Sequence, residues 1–453
     1  LPRAVTRLAA WAGLITVVVS AFVFSDATHY PGSLAAIPVV AAAVLIACGC
    51  GRPSGPERIL REPLLQCIGR VSYSWYLWHW PMLVMIPLIV GHPLNWVGRL
   101  GIVWLSLAAA VVTYFLIENP VRHTARRNWQ GFSLGVVVSG AIVAAAALVI
   151  SNLPPVTGSG AAVHIAVAQD ATPAAVAQMQ QAVASGVKTV DAPSNLTPTT
   201  AQAAHDLPAA DGTNCHASFT TVEQGACVYG DPAGTHTAVI VGDSHADMWL
   251  PAFNQAGIVQ HWKVVDWTKS SCPVASITVF NSSLNRTYTE CDTWRKSVLA
   301  RIATLKPDAV FVSNSENVVN GNVSPQQWSA ATLTTLKTLA STTTAKVTLL
   351  QDVPVPAYDM PDCVAAHLSS VQKCTFSTTK AYSFPARHRQ LAADAKSAGF
   401  AVVDPQSWIC TTTTCPAIVG NYLVYRDDTH LTAQFSTWLA PMVEPLLTAT
   451  KGS

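Results

Sequence analysis

Charge is what this sequence has least of. Asp, Glu, Lys and Arg make up 11% of its 453 residues, against about 25% in an ordinary soluble protein. Neither sign dominates, because the formal net charge is only +2. With no basic excess to neutralise phosphates, nucleic acid is excluded as the expected partner. An initiating Met is also lacking: the chain begins at Leu1 with no signal peptide, and it reads as the C-terminal part of a longer protein. Residues 151–213 are nearly without aromatics and rich in Ala, Thr, Pro and Ser. Such a segment buries little apolar surface of its own, so it reads as a linker, with one stretch of helical composition at about 170–187.

Hydrophobic residues are plentiful, at 50% of the chain, and they crowd into residues 1–150. A membrane-spanning helix needs about 20 mostly apolar residues. Five stretches approach that length, at about 8–24, 33–50, 74–91, 98–117 and 132–150. Arg3 and Arg7 precede the first. Arg52, Arg58, Arg61 and Arg70 fall between the second and third, and Arg122, Arg126 and Arg127 between the fourth and fifth. The loops 25–32 and 92–97 hold no Lys or Arg. By the positive-inside rule the N-terminus is cytoplasmic, and five crossings leave everything after residue 150 outside. The expectation is a multi-pass protein of a bacterial plasma membrane, in contact with the lipid bilayer.

The cysteines agree with that placement. Three of the eleven, Cys48, Cys50 and Cys67, lie in or beside the membrane half. The other eight are Cys215, Cys227, Cys272, Cys291, Cys363, Cys374, Cys410 and Cys415. An even number in an exported domain points to disulfides, and pairing in sequence order is the expectation. Zinc is the rival reading. It is disfavoured because Cys410-x4-Cys415 has no second close Cys or His pair, so no metal site is assigned.

Residues 214–453 read as an α/β domain. Apolar, β-branched runs recur at Thr237–Val241, Lys263–Asp266, Ala309–Ser313, Lys346–Gln351 and Phe400–Val403. Stretches of helical length, such as 246–260, 291–305 and 326–341, separate them. That alternation predicts a parallel sheet with helices on both faces. Chemistry in such sheets sits at the C-terminal ends of the strands. The first run ends there in Gly242-Asp243-Ser244-His245. A Ser at such a turn is exposed, and its own N–H lies at a helix start, where it favours an oxyanion. Alone the turn is weak evidence, since Asp and Ser are common helix caps. Asp243 and His245 read as turn structure first. Far downstream, Tyr425-Arg426-Asp427-Asp428-Thr429-His430 supplies what a Ser hydroxyl needs: a His to take its proton and a carboxylate to orient the ring.

Two resemblances follow from these residues. The run Ser72-Tyr73-Ser74-Trp75-Tyr76-Leu77-Trp78-His79-Trp80-Pro81 and the later Ile117-Glu118-Asn119-Pro120-Val121-Arg122 resemble the end of the acyltransferase family 3 membrane domain, over about residues 1–130. That resemblance implies movement of acyl groups across the membrane from a cytoplasmic acyl-CoA. The family's catalytic His and Arg belong to an N-terminal part that this sequence does not contain. His79 therefore inherits no catalytic role, and its bland reading is an interfacial aromatic belt with a Pro kink. The Ser244 turn and the Asp-x-x-His pair resemble the SGNH (GDSL-like) hydrolase superfamily, over about 235–440.

The second resemblance implies Ser244 as nucleophile, His430 as base and Asp427, rather than its neighbour Asp428, as orienting carboxylate. It also implies oxyanion donors: the N–H of Ser244, that of Ser271 in Lys269-Ser270-Ser271-Cys272-Pro273, and the side chain of Asn314, with Asn317 as its rival. The expected layout is a membrane helical bundle at 1–150, an incomplete acyltransferase region, a linker at 151–213 and an extracytoplasmic SGNH domain at 214–453. Together the two regions resemble peptidoglycan and polysaccharide O-acetyltransferases. The implied reaction passes an acyl group, as an ester of Ser244, to a hydroxyl of a cell-surface polysaccharide or peptidoglycan. No cofactor is expected in the SGNH domain. The alternatives are a carbohydrate esterase with the same triad and a glycan-binding domain without catalysis.

Overall fold

The structure, a computed structural model, describes residues 2–24, 33–49, 55–90, 94–120, 128–151, 158–165, 171–225, 227–319 and 321–447. The chain divides into two compact units, Leu1–Leu153 and Pro154–Ser453.

The first unit is helical, with its longer helices at Arg3–Val23, Ala36–Gly49, Pro63–Val90, Trp96–Thr113 and Asn128–Ser151. Among the described residues, two helices are long and apolar enough to cross a bilayer, Ala4–Val23 and Trp96–Glu118, against the five spans expected. Ala36–Cys48 and Gly135–Leu148, the latter within the helix Asn128–Ser151, are shorter apolar stretches. The helix Pro63–Val90 is long enough, but its indoles, His79, Pro81 and Pro87 dilute its hydropathy. Side chains join this helix to the next by hydrogen bonds: Ser74 Oγ to Glu118 Oε2 at 2.7 Å, Trp75 Nε1 to Ser106 Oγ at 3.0 Å and Trp78 Nε1 to Thr113 Oγ1 at 2.8 Å. Polar pairs of this kind hold apolar helices together where burial from water gives no drive. His79 Nδ1 turns back to the Tyr76 carbonyl at 2.8 Å.

The second unit carries a seven-stranded sheet. Its strands are β1 His216–Ala217, β2 Val228–Gly230, β3 His236–Gly242, β4 Trp262–Lys269, β5 Ala309–Ser313, β6 Lys346–Leu350 and β7 Ala401–Val403. The order is β1-β4-β3-β5-β6-β7, all parallel, and antiparallel β2 shares the outer edge of β4. Alternate residues of β3 face opposite cores. Ala238 and Ile240 pack with Phe253 and Val443 on one face; Val239 and Val241 pack with Trp294 and Val298 on the other. Each Val or Ile side chain buried in this way contributes about 1.5–3 kcal/mol by leaving water. Because both faces are covered, the strand sequences are continuous apolar runs rather than alternating ones. The chain leaves β3 toward β4 on one side and returns to β5 on the other. That reversal opens a crevice at the C-terminal end of β3.

Two sequence expectations are corrected here. The helical stretch 246–260 is broken into a four-residue turn of helix, Ser244–Asp247, and a helix Leu250–Gln260, with Pro251 starting the second because its ring suits a first turn. The segment expected as a linker is largely folded onto the sheet unit. Its helix, Pro173–Gly186, buries Ala175, Met179, Val183 and Gly186 on one side. Gly186 approaches the Ile418 carbonyl so closely that a Cβ would collide with it. Further on, Ala192 N–H donates to the Leu368 carbonyl at 2.7 Å and Thr197 N–H to that of Asn421 at 2.7 Å. The segment needs no aromatics because it completes an existing core instead of building one.

The eight cysteines of this unit form four disulfides in sequence order: Cys215–Cys227, Cys272–Cys291, Cys363–Cys374 and Cys410–Cys415.

Candidate active site

The site begins at the end of β3. Gly242 lies so close to the Ser313 carbonyl of β5 that any side chain would clash. Asp243 then caps the short helix, its Oδ1 accepting from His245 N at 2.9 Å. Both its oxygens also accept the Ser315 N–H, at 3.0 and 2.9 Å. Burial pushes Asp243 up to about 6, against the pull of His245. From Ala238 to Leu250 every residue is buried except Ser244, which is half-buried. The turn therefore presents a single hydroxyl.

The partner side chains come from a tight turn near the C-terminus. Tyr425 bridges to Leu431, and Arg426 N–H donates to the His430 carbonyl at 2.9 Å. Asp427 Oδ1 accepts the backbone N–H groups of Thr429 and His430, both at 2.7 Å. Thr432 caps the helix Ala433–Trp438 that follows. On this turn His430 Nδ1 lies 2.9 Å from Asp427 Oδ2, and His430 Nε2 lies 2.8 Å from Ser244 Oγ. Since a carboxylate only accepts, Nδ1 carries the proton and Nε2 is free to accept from the Ser244 hydroxyl. Asp428 is exposed, and no bond joins it to the imidazole.

Electrostatics reinforce the arrangement. Burial alone would raise Asp427, but the hydrogen bond and charge of His430 outweigh it and hold the carboxyl well below the usual range. His430 is lowered, first by burial and then by the charges of His245 and Arg426, against the pull of Asp427.

The expected oxyanion donors Ser271 and Asn314 follow the two strands that flank β3. Gly242 pairs with Thr268 of β4 and with Ser313 of β5. Ser271 sits in the turn just after β4 with φ +50°, and the Cys272–Cys291 disulfide anchors that turn to the helix Thr289–Leu305. Asn314 directly follows β5 and is 5% exposed. Its Oδ1 accepts from Val274 N at 2.9 Å, which fixes the amide and turns its NH2 group away from that bond. Asn317 is exposed.

Sequence reasoning read His245 as turn structure, but its side chain does more. Nδ1 lies 2.6 Å from Asp352 Oδ1 in a buried pair. The ring meets that of His430 edge to face, with centroids 4.9 Å apart. Asp352 follows β6, so the rule that chemistry sits at strand ends would have found it. A second buried cluster lies beneath β1 and β4. His216 Nδ1 donates to Thr268 Oγ1 at 2.8 Å, and that hydroxyl donates to Asp266 Oδ2 at 3.0 Å. Burial pushes Asp266 up to about 8 and lowers His216 to about 4. Among the described residues no group of three or more His, Cys, Asp or Glu is arranged to hold a metal ion.

Comparisons with known proteins cover both units. A family described as "SGNH domain (fused to AT3 domains)" matches residues 214–445, and one described as "Acyltransferase domain" matches residues 1–117. YrhL of Bacillus subtilis (strain 168), named provisionally as a peptidoglycan O-acetyltransferase, is 33% identical over 103 residues. That match takes in 22% of this chain and 16% of the relative's length. The periplasmic domain of the lipopolysaccharide acetyltransferase of Salmonella ser. Paratyphi A aligns at 17% identity with a TM-score of 0.41, over 48% of this chain and 85% of that one. A carbohydrate acetylesterase family member from Sinorhizobium meliloti aligns at 12% identity with a TM-score of 0.30, over 47% and 97%. The acyltransferase match and the apolar helices together point to a membrane protein. With a little over half its length matched, the chain belongs to the family of SGNH domains fused to acyltransferase-3 (AT3) domains.

Proposed function

We propose that this chain belongs to an O-acyltransferase that esterifies a hydroxyl of a cell-surface glycan through an acyl-Ser244 intermediate. The observation that carries the reading is the line Ser244 Oγ, His430 Nε2, His430 Nδ1, Asp427 Oδ2, joined at 2.8 and 2.9 Å. In the first half-reaction Ser244 Oγ attacks the acyl carbonyl carbon while its proton passes to His430 Nε2. Asp427 stabilises the imidazolium so formed. The carbonyl oxygen becomes an oxyanion, to which the N–H groups of Ser244 and Ser271 and the side-chain NH2 of Asn314 would donate. The leaving group departs with the proton from His430, and Ser244 is left as an ester. In the second half-reaction a glycan hydroxyl gives its proton to His430, attacks the ester carbonyl and releases Ser244.

The names of the relatives favour acetyl as the acyl group and peptidoglycan or another envelope polysaccharide as the acceptor. A cytoplasmic acyl-CoA would supply the acyl group through the complete membrane domain. Four disulfides favour an oxidising compartment for the SGNH domain. That fits five crossings of a bacterial plasma membrane with the N-terminus inside.

The test is mass spectrometry of surface glycans from cells carrying the wild-type protein or Ser244→Ala. The expected result is loss, in the variant, of one acyl mass from a defined glycan. An unchanged glycan profile rules the proposal out. A gain of acyl groups in the variant instead makes the protein a glycan esterase, with water in place of the acceptor hydroxyl.

A further inference from the structure

His245 follows Ser244 in the chain but faces a different partner. It is 2% exposed, and its Nδ1 sits 2.6 Å from Oδ1 of Asp352, which is 5% exposed. Asp352 itself accepts two backbone donors: Glu316 N–H reaches its Oδ2 at 2.8 Å and Val353 N–H reaches its Oδ1 at 2.9 Å. A carboxylate so placed binds a charged imidazole more strongly than a neutral one. The His245 ring in turn touches the His430 ring, centroids 4.9 Å apart and planes inclined at 62°. Two buried imidazoles in contact resist being charged together, because little solvent separates them.

We infer that His245 and Asp352 form a second His–Asp pair in which Asp352 holds the proton of His245, and that the His245 ring, set edge to face against His430, opposes protonation of His430 and so sets the pH range in which His430 can accept the Ser244 proton. The inference rests on the reading of Ser244 and His430 given above. His245 and Asp352 are positioning residues, acting on the reaction through His430.

The charges around His430 come from several elements. Its own turn supplies Asp427, 2.9 Å away, and Arg426, whose Nε lies 3.6 Å from Asp427 Oδ2. The turn after β3 supplies His245 and, behind it, Asp243. The end of β6 supplies Asp352, and β1 supplies His216, which burial keeps neutral. Burial, His245 and Arg426 oppose a proton on His430, and Asp427 favours it. Burial disfavours a charge on His245 as well, yet the charge and hydrogen bond of Asp352 raise it to about 9. His245 therefore stays charged through the neutral range. Removing its charge leaves His430 easier to protonate, so the acid limb of Ser244 reactivity moves to higher pH.

The experiment follows the initial rate of Ser244 labelling by a fluorophosphonate probe on the full chain in detergent micelles, from about pH 5 to about pH 9, the range in which an imidazole titrates. His245→Gln removes the ring; Asp352→Asn keeps the ring but removes the anion that holds its proton. Both variants are expected to label at alkaline pH at close to the wild-type rate, with the acid limb displaced upward by about one pH unit. Below both limbs that is about a tenfold slower reaction. A limb that stays at the wild-type position overturns the inference, as does slowing by the same factor at every pH, or loss of labelling at every pH in both variants. Should His245→Gln alone fail to fold in a thermal melt, Asp352→Asn decides. Failure of the wild type to label, or labelling that survives Ser244→Ala, would instead strike the assignment of Ser244 itself.

Discussion

The Asp243 carboxylate grips the Ser315 backbone N–H with both oxygens, at 3.0 and 2.9 Å. One buried side chain thereby joins the turn bearing Ser244 to the turn bearing Asn314. Ser244 and one proposed oxyanion donor are held in register by this one residue.

Asp243→Asn should loosen that register. The amide retains one acceptor and brings two donors into a pocket built for an anion. Loss of a buried hydrogen bond to a charged group costs about 1.5–3 kcal/mol. The expected outcome is a lower unfolding midpoint in a thermal melt, together with slower fluorophosphonate labelling of Ser244. Wild-type values for both would show that the clamp is dispensable.

The two neighbouring carboxylates on the last turn should separate cleanly. Asp427 bonds to His430 Nδ1, whereas Asp428 is exposed. Asp427→Asn should lower turnover by about 10⁴, the scale seen when a triad carboxylate is made an amide and the imidazole takes the wrong tautomer. Asp428→Asn should stay within about twofold. Glycan acylation measured in cells complemented with each variant distinguishes them, and equal losses would place the orienting role elsewhere.

The pH dependence follows from His430. Its neutral form is the base, and its affinity for a proton is lowered from the ordinary 6.5. The active fraction should rise with pH along a limb centred below that value and be nearly complete at neutral pH. Ser244 labelling as a function of pH reads this directly. A limb centred above 6.5 would contradict the direction of the shift.

The Cys272–Cys291 bridge closes a loop of 19 residues in sequence separation, for which chain entropy gives about 3 kcal/mol. Because Ser271 precedes Cys272, replacing both cysteines by Ser should lower the melting temperature and slow Ser244 labelling together. In the oxidised, denatured wild type, thiol counting should find none of the eight SGNH-domain cysteines free.

The sequence made the central sheet legible because β3 to β6 are apolar runs buried on both faces, a pattern that owes little to context. That Ser244, Asp427 and His430 meet was legible because a strand-end Ser and an Asp-x-x-His turn are the residue types such a cluster needs. The buried face of Pro173–Gly186 was not, since Ala175, Met179 and Val183 become a packing stripe only against a core made elsewhere in the chain. Asp352 and His245 were missed for a related reason. They lie 107 residues apart, and their pairing exists only once β3 and β6 share a sheet. Similarly, length and composition nominate membrane helices one at a time, whereas the seam from Ser74 to Glu118 joins residues 44 apart.

Ser244 is the one residue between Ala238 and Leu250 that solvent can reach. In the proposed reaction, whatever delivers an acyl group and whatever receives it would approach that same oxygen. The two visitors would then take turns rather than sit side by side. Order in time, with the first product gone before the second reactant engages, is what the proposed reaction asks of a turn that lies so little open.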